Sequence, residues 1–211
     1  RAPIVITALG SPAEAVERVH AYGGKVYADV TTIDFARRAA AVGVDGLALV
    51  CCGAGGHTGL MSPFAFVDEV RQFFDGEIIL SGAISNGRAI RAAEVLGADY
   101  VYMGTRFIPT QESLAQDEYK EMVVEASGAD IVTSDSITGV KANWLKGSLE
   151  KVGFDVDNMP PPGAINFLEA ASDAKRWRDI WAAGQGVGSI DRQQSVAEVV
   201  EQLTDEYRSC L

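Results

Sequence analysis

The sequence is that of an α/β protein of (β/α)8 type, and three observations carry that reading. Apolar runs at 3–8, 25–30, 46–52, 77–80 and 100–103 read as strands, starting about 21 to 31 residues apart, the repeat length of a (β/α)8 barrel or a doubly wound sheet. Amphipathic stretches alternate with them. Several of those stretches stop at glycine, and the strands are apolar on both faces, as strands buried in a parallel sheet of right-handed βαβ units must be.

The elements follow in order. Ser11-Pro12-Ala13-Glu14 reads as a capping box with proline in the first helical position. The helix it opens sets Ala15, Val16, Val19 and Tyr22 on one face and ends at Gly23-Gly24. A second helix spans 33–42 and stops at Gly43. A third opens at Ser62-Pro63 and closes before Asp75-Gly76, and a fourth runs over 87–96 to Gly97. The joints Gly43-Val44-Asp45-Gly46 and Gly97-Ala98-Asp99-Tyr100 look alike, each a glycine stop followed by a strand. After Thr110 the pattern turns to helices and loops, with helices expected at 111–126, 142–152, 172–183 and 195–209 and a stiff proline-rich connection at 158–163. The expected organisation is therefore five βα units over 1–110, a helical cap-like insertion over 111–188 and a closing helix over 189–211. A closed barrel needs three more strands, so apolar residues beside Ile4–Ile6 and Tyr100–Met103 should form an exposed edge.

Composition narrows the partners. The 211 residues are 47% hydrophobic and 22% charged, with a formal net charge of −11. That charge argues against nucleic acid or an anionic membrane surface as the main partner. No apolar run approaches the roughly 18 residues of a membrane span, and no cleavable signal is visible, although the chain opens on Arg1. Three cysteines, two of them adjacent, make neither a disulfide framework nor a zinc spacing. A reducing, cytoplasmic setting is expected, with no metal site.

Chemistry concentrates in three polar turns, each following a strand. The first is Gly53-Ala54-Gly55-Gly56-His57-Thr58-Gly59, where glycines let the backbone approach a ligand and enclose one of only two histidines. His57 reads as a base or as a hydrogen-bond donor to an anionic substrate, its ordinary pKa suiting proton transfer near neutrality. A packing histidine in a tight turn is the structural alternative. The second turn is Ser81-Gly82-Ala83-Ile84-Ser85-Asn86-Gly87 and the third Gly104-Thr105-Arg106. Loops after the last two strands of a barrel commonly bind phosphate through backbone N–H groups and a helix N-terminus, which places Gly82, Ala83, Gly104 and Thr105 against a phosphate. Arg106 could add charge there or point away. His20 sits mid-helix at the margin of an apolar face. Cys51 and Cys52 stand where a barrel enzyme could place a thiolate, with small buried strand cysteines as the alternative. Asp29 could reach the site or cap the helix that begins near Thr31-Thr32. No lysine follows these glycines as in a nucleotide-triphosphate loop.

These turns, together with Leu96–Phe107 and Trp181-Ala182-Ala183-Gly184-Gln185-Gly186-Val187-Gly188, resemble the nitronate monooxygenase family, formerly called 2-nitropropane dioxygenase. The resemblance runs over nearly the whole chain. It implies an FMN-dependent (β/α)8 barrel with a helical insertion after the last strand, oxidising nitronates with molecular oxygen. It would make His57 the residue that takes the α-proton or steadies the nitro group. Gly55 and Gly56 would approach the flavin, Tyr102 and Met103 would line the cofactor, and Gly82, Ala83, Gly104 and Thr105 would contact its phosphate. The chain departs from the family in lacking glutamines that many members carry near Cys51 and at Tyr102, and in having alanine at position 83. The family's first three strands have no counterpart, so the sequence begins where a fourth strand would. Alternatives are an FMN-dependent enoyl-acyl-carrier-protein reductase using NAD(P)H, an inosine-monophosphate-dehydrogenase-type barrel in which Cys51 or Cys52 would matter, and an incomplete, non-catalytic piece. Expected partners are a small nitronate and O2, with self-association possible through the open edge.

Overall fold

The computed structural model describes residues 1–163 and 177–211. They form two compact units. The first comprises 1–52, 59–81 and 89–102, and the second 53–58, 82–88 and 103–211.

The first unit is built on a five-stranded parallel sheet in sequence order: β1 (Ile4–Thr7), β2 (Lys25–Val30), β3 (Gly46–Val50), β5 (Glu77–Ser81) and β6 (Tyr100–Tyr102). Every step moves one strand further in the same direction, so right-handed crossovers set α1 (Ala13–His20), α2 (Ile33–Ala41), α3 (Pro63–Arg71) and the body of α4 (Gly87–Leu96) on a single face. Val26, Leu47, Leu49, Ile78 and Leu80 are buried on that face, together with Ala36, Ala39, Phe66, Val67 and Val70 from the helices. The opposite face carries Tyr27, Asp29, Ala48, Ile79 and Tyr102, because strand register places Asp29 beside Ala48 and Ile79 beside Ala48 and Tyr100. Tyr27, Ala48 and Ile79 form a small buried cluster there with Tyr102 packed against it. Of the edge expected from the sequence, Ile4, Ile6 and Tyr100 are about half exposed, while Val5, Val101, Tyr102 and Met103 are partly buried.

The glycine stops at Gly23, Gly43 and Gly97 are all left-handed. The two look-alike joints prove equivalent in detail. Asp45 accepts the Val26 N–H at 2.7 Å, and Asp99 accepts the Ile78 N–H at 2.8 Å, so each aspartate clips its own strand to the one before it. The expected capping box at Ser11–Glu14 does not form. Ser11 Oγ accepts only the Ala13 N–H at 3.4 Å, while Glu14 pairs with Arg18 one turn on.

The second unit holds the larger departures. The stretch 142–152, expected to be helical, is a strand, β8 (Ala142–Leu145), followed by a short α6 (Lys146–Lys151). β8 pairs antiparallel with β7 (Ile131–Ser134) and, on its other edge, with β4 (Gly56–His57). All four β8 residues are buried, which explains why Ala-Asn-Trp-Leu shows no strand alternation. The helix expected at 111–126 starts late, as α5 (Asp117–Glu125). Of the helix expected at 172–183, positions 172–176 lie outside the described residues. The remainder is turn and bridge, with Ala182 bridging Trp144. The closing helix is α7 (Val196–Arg208), opened by a Ser195/Glu198 capping box. Val123, Leu145, Trp181, Ala183, Val187 and Ile190 form one core of this unit, and Ile137, Ala142, Trp144, Leu149 and Ile180 another.

Candidate functional site

His57 is exposed and sits at the end of β4, where it pairs with Ala142, while the next amide, Thr58 N–H, donates to Lys141 O at 3.0 Å. The residue ahead of it, Gly56, faces Asn143. Asn143, itself buried, donates its side-chain N–H to Ala54 O at 2.7 Å and accepts from the Thr133 hydroxyl. The imidazole is therefore carried by a strand end pinned from the side, which orients it without covering it. Its ring meets the Trp177 indole edge to face, 5.3 Å between centroids at 84°.

The glycines of this loop answer to close packing as much as to conformation. A Cβ on Gly55 would stand 2.8 Å from Gly184 N, and one on Gly184 would stand 2.5 Å from Gly53 O. Gly53 O accepts N–H groups from both Gln185 (2.9 Å) and Ala83 (3.2 Å), and Gly184 N–H donates to the Thr105 hydroxyl at 2.9 Å. A Cβ on Gly186 would collide with Ser85 Oγ. All three polar turns of the sequence are thus gathered on the 183–186 segment within the second unit. No local pattern signals this gathering, and the motif at 181–188 is marked only by the family resemblance.

The expected phosphate contacts divide accordingly. Ala83 lies in the left-handed region at φ +57°, and its N–H is committed to Gly53 O, which removes it from the donor set. Gly82, Gly104 and Thr105 keep N–H groups with no partner among the described residues. Thr105 begins a short 3-10 turn, Thr105–Phe107, and a Cβ on Gly104 would meet nothing within 4 Å. Free amides, with open space beside Gly104, suit an anionic group. Arg106 does not serve it. Its buried guanidinium donates to Gln194 Oε1 (2.6 Å) and Gln202 Oε1 (3.1 Å), and burial lowers its pKa. Gln202 in turn donates to Glu206 (2.8 Å), whose other oxygen takes the Gly87 N–H (2.7 Å) at the start of α4. A protein carboxylate, then, already occupies the amide that begins that helix.

The remaining candidates lie in the first unit. Cys51 is buried and its thiol is pushed up to about 12, chiefly by burial, so it is no thiolate nucleophile at neutral pH. Thr32, not Asp29, caps α2, by accepting the Phe35 N–H at 3.2 Å. Asp29 keeps one buried oxygen without a partner among the described residues, and burial raises its pKa. Burial and, after it, the Asp29 charge raise the pKa of the Tyr102 phenol. His20 is structural, lying 2.8 Å from Asp45. No group of residues suited to hold a metal is present among the described residues, and no described helix is long and apolar enough to cross a membrane.

The parallel βα sheet, its strands in sequence order, is of the half-barrel kind found in TIM-barrel enzymes. More narrowly, the chain belongs to the nitronate monooxygenase family, whose model matches residues 1–206. It is 30% identical to a nitronate monooxygenase of Pseudomonas aeruginosa over 93% of this chain and 61% of that protein. It is 28% identical to one of Neurospora crassa, over 95% and 58%. Among solved structures it is similar to a nitroalkane oxidase from Streptomyces ansochromogenes, with TM-score 0.80 and 26% identity, covering 98% of this chain and 64% of that one. FabK from Thermotoga maritima is comparably similar, at TM-score 0.79 and 26% identity over 99% and 68%. The chain spans about six-tenths of the length of the curated relatives it matches.

Proposed function

We propose that the protein oxidises nitronates, and with them nitroalkanes, using molecular oxygen and FMN, and that its five parallel strands correspond to the last five of an eight-stranded barrel. The observation that carries this reading is an exposed imidazole on a pinned strand end in a chain of this family. FMN, when bound, supplies the electron transfer between substrate and oxygen. Gly82, Gly104 and Thr105 donate N–H groups to its phosphate, while Ala83 shapes the turn instead of donating. Gly55, Gly56, Tyr102 and Met103 are the remaining cofactor-binding candidates. His57 accepts the α-proton of a neutral nitroalkane at an imidazole nitrogen, or hydrogen-bonds an oxygen of a nitronate that arrives already deprotonated. A reducing, cytoplasmic location fits free cysteines at 51, 52 and 210.

The test starts from the protein purified from its natural gene. It should be yellow, release FMN on denaturation and consume oxygen with nitronate but not with NADH. Gly104→Val separates cofactor from fold: nothing stands within 4 Å of the added Cβ, so unfolding should barely change while FMN affinity falls at least about tenfold. Unchanged FMN affinity would remove the phosphate from this turn, and turnover with NADH in place of nitronate would favour the enoyl reductase reading.

A further inference from the structure

Next to His57 is an aromatic surface that no proton-transfer role uses. Trp144 is fully buried and donates its indole N–H to Ser134 O at 3.4 Å. Trp177 stacks on it, 4.9 Å between centroids and tilted by 36°, and remains 50% exposed. Gly56 completes the arrangement. At φ +70° it turns its bare α-carbon toward the indole, where a Cβ would stand 3.6 Å from the ring. Trp177 is itself left-handed at φ +66°, a backbone state costly for a bulky side chain and found mostly where the surroundings impose it for function. The outcome is a half-exposed ring packed on a buried one and meeting the imidazole edge to face.

We infer that the open surface of Trp177 is an apolar wall for the substituent of the substrate, selecting nitronates with an alkyl chain of several carbons over short or carboxylate-bearing ones. The inference rests on the nitronate reading above. An alkyl chain reaching away from a nitro group held at His57 covers indole and leaves water. A carboxylate in the same place would give up hydration to lie against the electron-rich face of an aromatic ring. Full burial of a methylene is worth about a fourfold gain, so a wall open on one side should return roughly twofold per carbon.

The experiment uses the flavin-loaded, full-length protein with the nitronates of nitroethane, 1-nitrobutane, 1-nitrohexane and 3-nitropropionate. In wild type, kcat/KM should rise about twofold per carbon along the alkyl series, and 3-nitropropionate should fall well below 1-nitrobutane. Trp177→Ala should flatten the series, and Trp177→Phe should restore most of the slope. Equal slopes in wild type and Trp177→Ala would overturn the wall. A wild type that oxidises no nitronate would instead overturn the proposed function, and the wall would then be read from fluorescence. Of the three tryptophans, Trp144 and Trp181 are buried, so a nitroalkane quencher reaches Trp177. Saturable quenching by 1-nitrohexane, stronger than by nitroethane and lost in Trp177→Phe, supports the wall. Linear quenching independent of chain length overturns it.

Discussion

The joints that enter the strands and the turns that leave them are built on opposite plans. At the entering side, in the first unit, charge does the fastening. Asp45 clips β2 with His20 beside it, and Asp99 clips β5 while pairing with Arg71 at 2.7 Å. Glu77 is gripped by Lys25 at 2.9 Å and by the Tyr27 hydroxyl, which hold its carboxyl below the usual range. In the second unit the glycine–histidine turn is fastened by neutral groups, namely Gly53 O, the Thr105 hydroxyl, the Asn143 amide and glycines too closely packed to admit a Cβ, while charge enters only further along, at Glu206 on the Gly87 N–H and at the buried Arg106. The difference teaches that charge fastens the strand entrances, whereas the hydrogen bonds that hold the turn carrying His57 are neutral.

The comparison can be broken first at His57. His57→Asn should lower the rate on neutral nitroalkanes by about 10² to 10⁴, the usual worth of a general base, and cost less on preformed nitronates. Equal losses on both, measured at matched flavin content, would assign the imidazole to orientation only. Gly184→Ala comes next. Its Cβ would press on Gly53 O at 2.5 Å, so backbone must move, at a cost of about 1–3 kcal/mol by urea unfolding and with loss of activity out of proportion to that cost.

Asp99→Asn should cost about 1–2 kcal/mol, because a charged acceptor shared by Ile78 N–H and Arg71 becomes neutral, while activity of the folded protein stays intact. The smallest effect is a pH dependence at Asp45. Burial pulls its pKa up, but the Val26 amide and His20 outweigh it and hold the carboxyl below its ordinary range. A depressed carboxyl stabilises the fold above about pH 4 and loses that contribution as pH falls through its folded value. The wild-type urea midpoint should therefore drop below pH 4 more steeply than that of Asp45→Asn. Parallel pH profiles would remove Asp45 from the ledger of fastening charges.

How much of this was legible in the sequence depended on how local the cause was. The glycine stops at 23, 43 and 97 sit where a left-handed residue ends a helix, and a single residue type signals that. The five strands advertised themselves by apolar runs. By contrast, β8 read as helix because Ala-Asn-Trp-Leu is buried all round and its partners lie far along the chain. β4 is two residues, Gly-His, with no strand propensity of its own, and exists because β8 offers an edge. The glycines at 55, 184 and 186 were visible as letters, but what they make room for is backbone and side chain from other turns. Ala83 is a similar case: its place in a βα turn suggests a free N–H, but Gly53 O, 30 positions earlier in the chain, accepts it. Trp177 gave no signal in the sequence, because its neighbours His57 and Trp144 come from distant positions.

The pairing of His57 with Ala142 has a consequence in time as well as in space. The two residues stand about 85 positions apart, and closing a loop of that length carries an entropy cost that local contacts do not. As the chain leaves the ribosome, β1 to β3 and the glycine loop emerge well before residues 131–145, so the imidazole has no strand to join until the hairpin follows. The glycine–histidine loop should gain hydrogen-exchange protection late in refolding, after the parallel sheet, and a nascent chain stopped at residue 120 should show a protected sheet with Thr58 still exchanging freely.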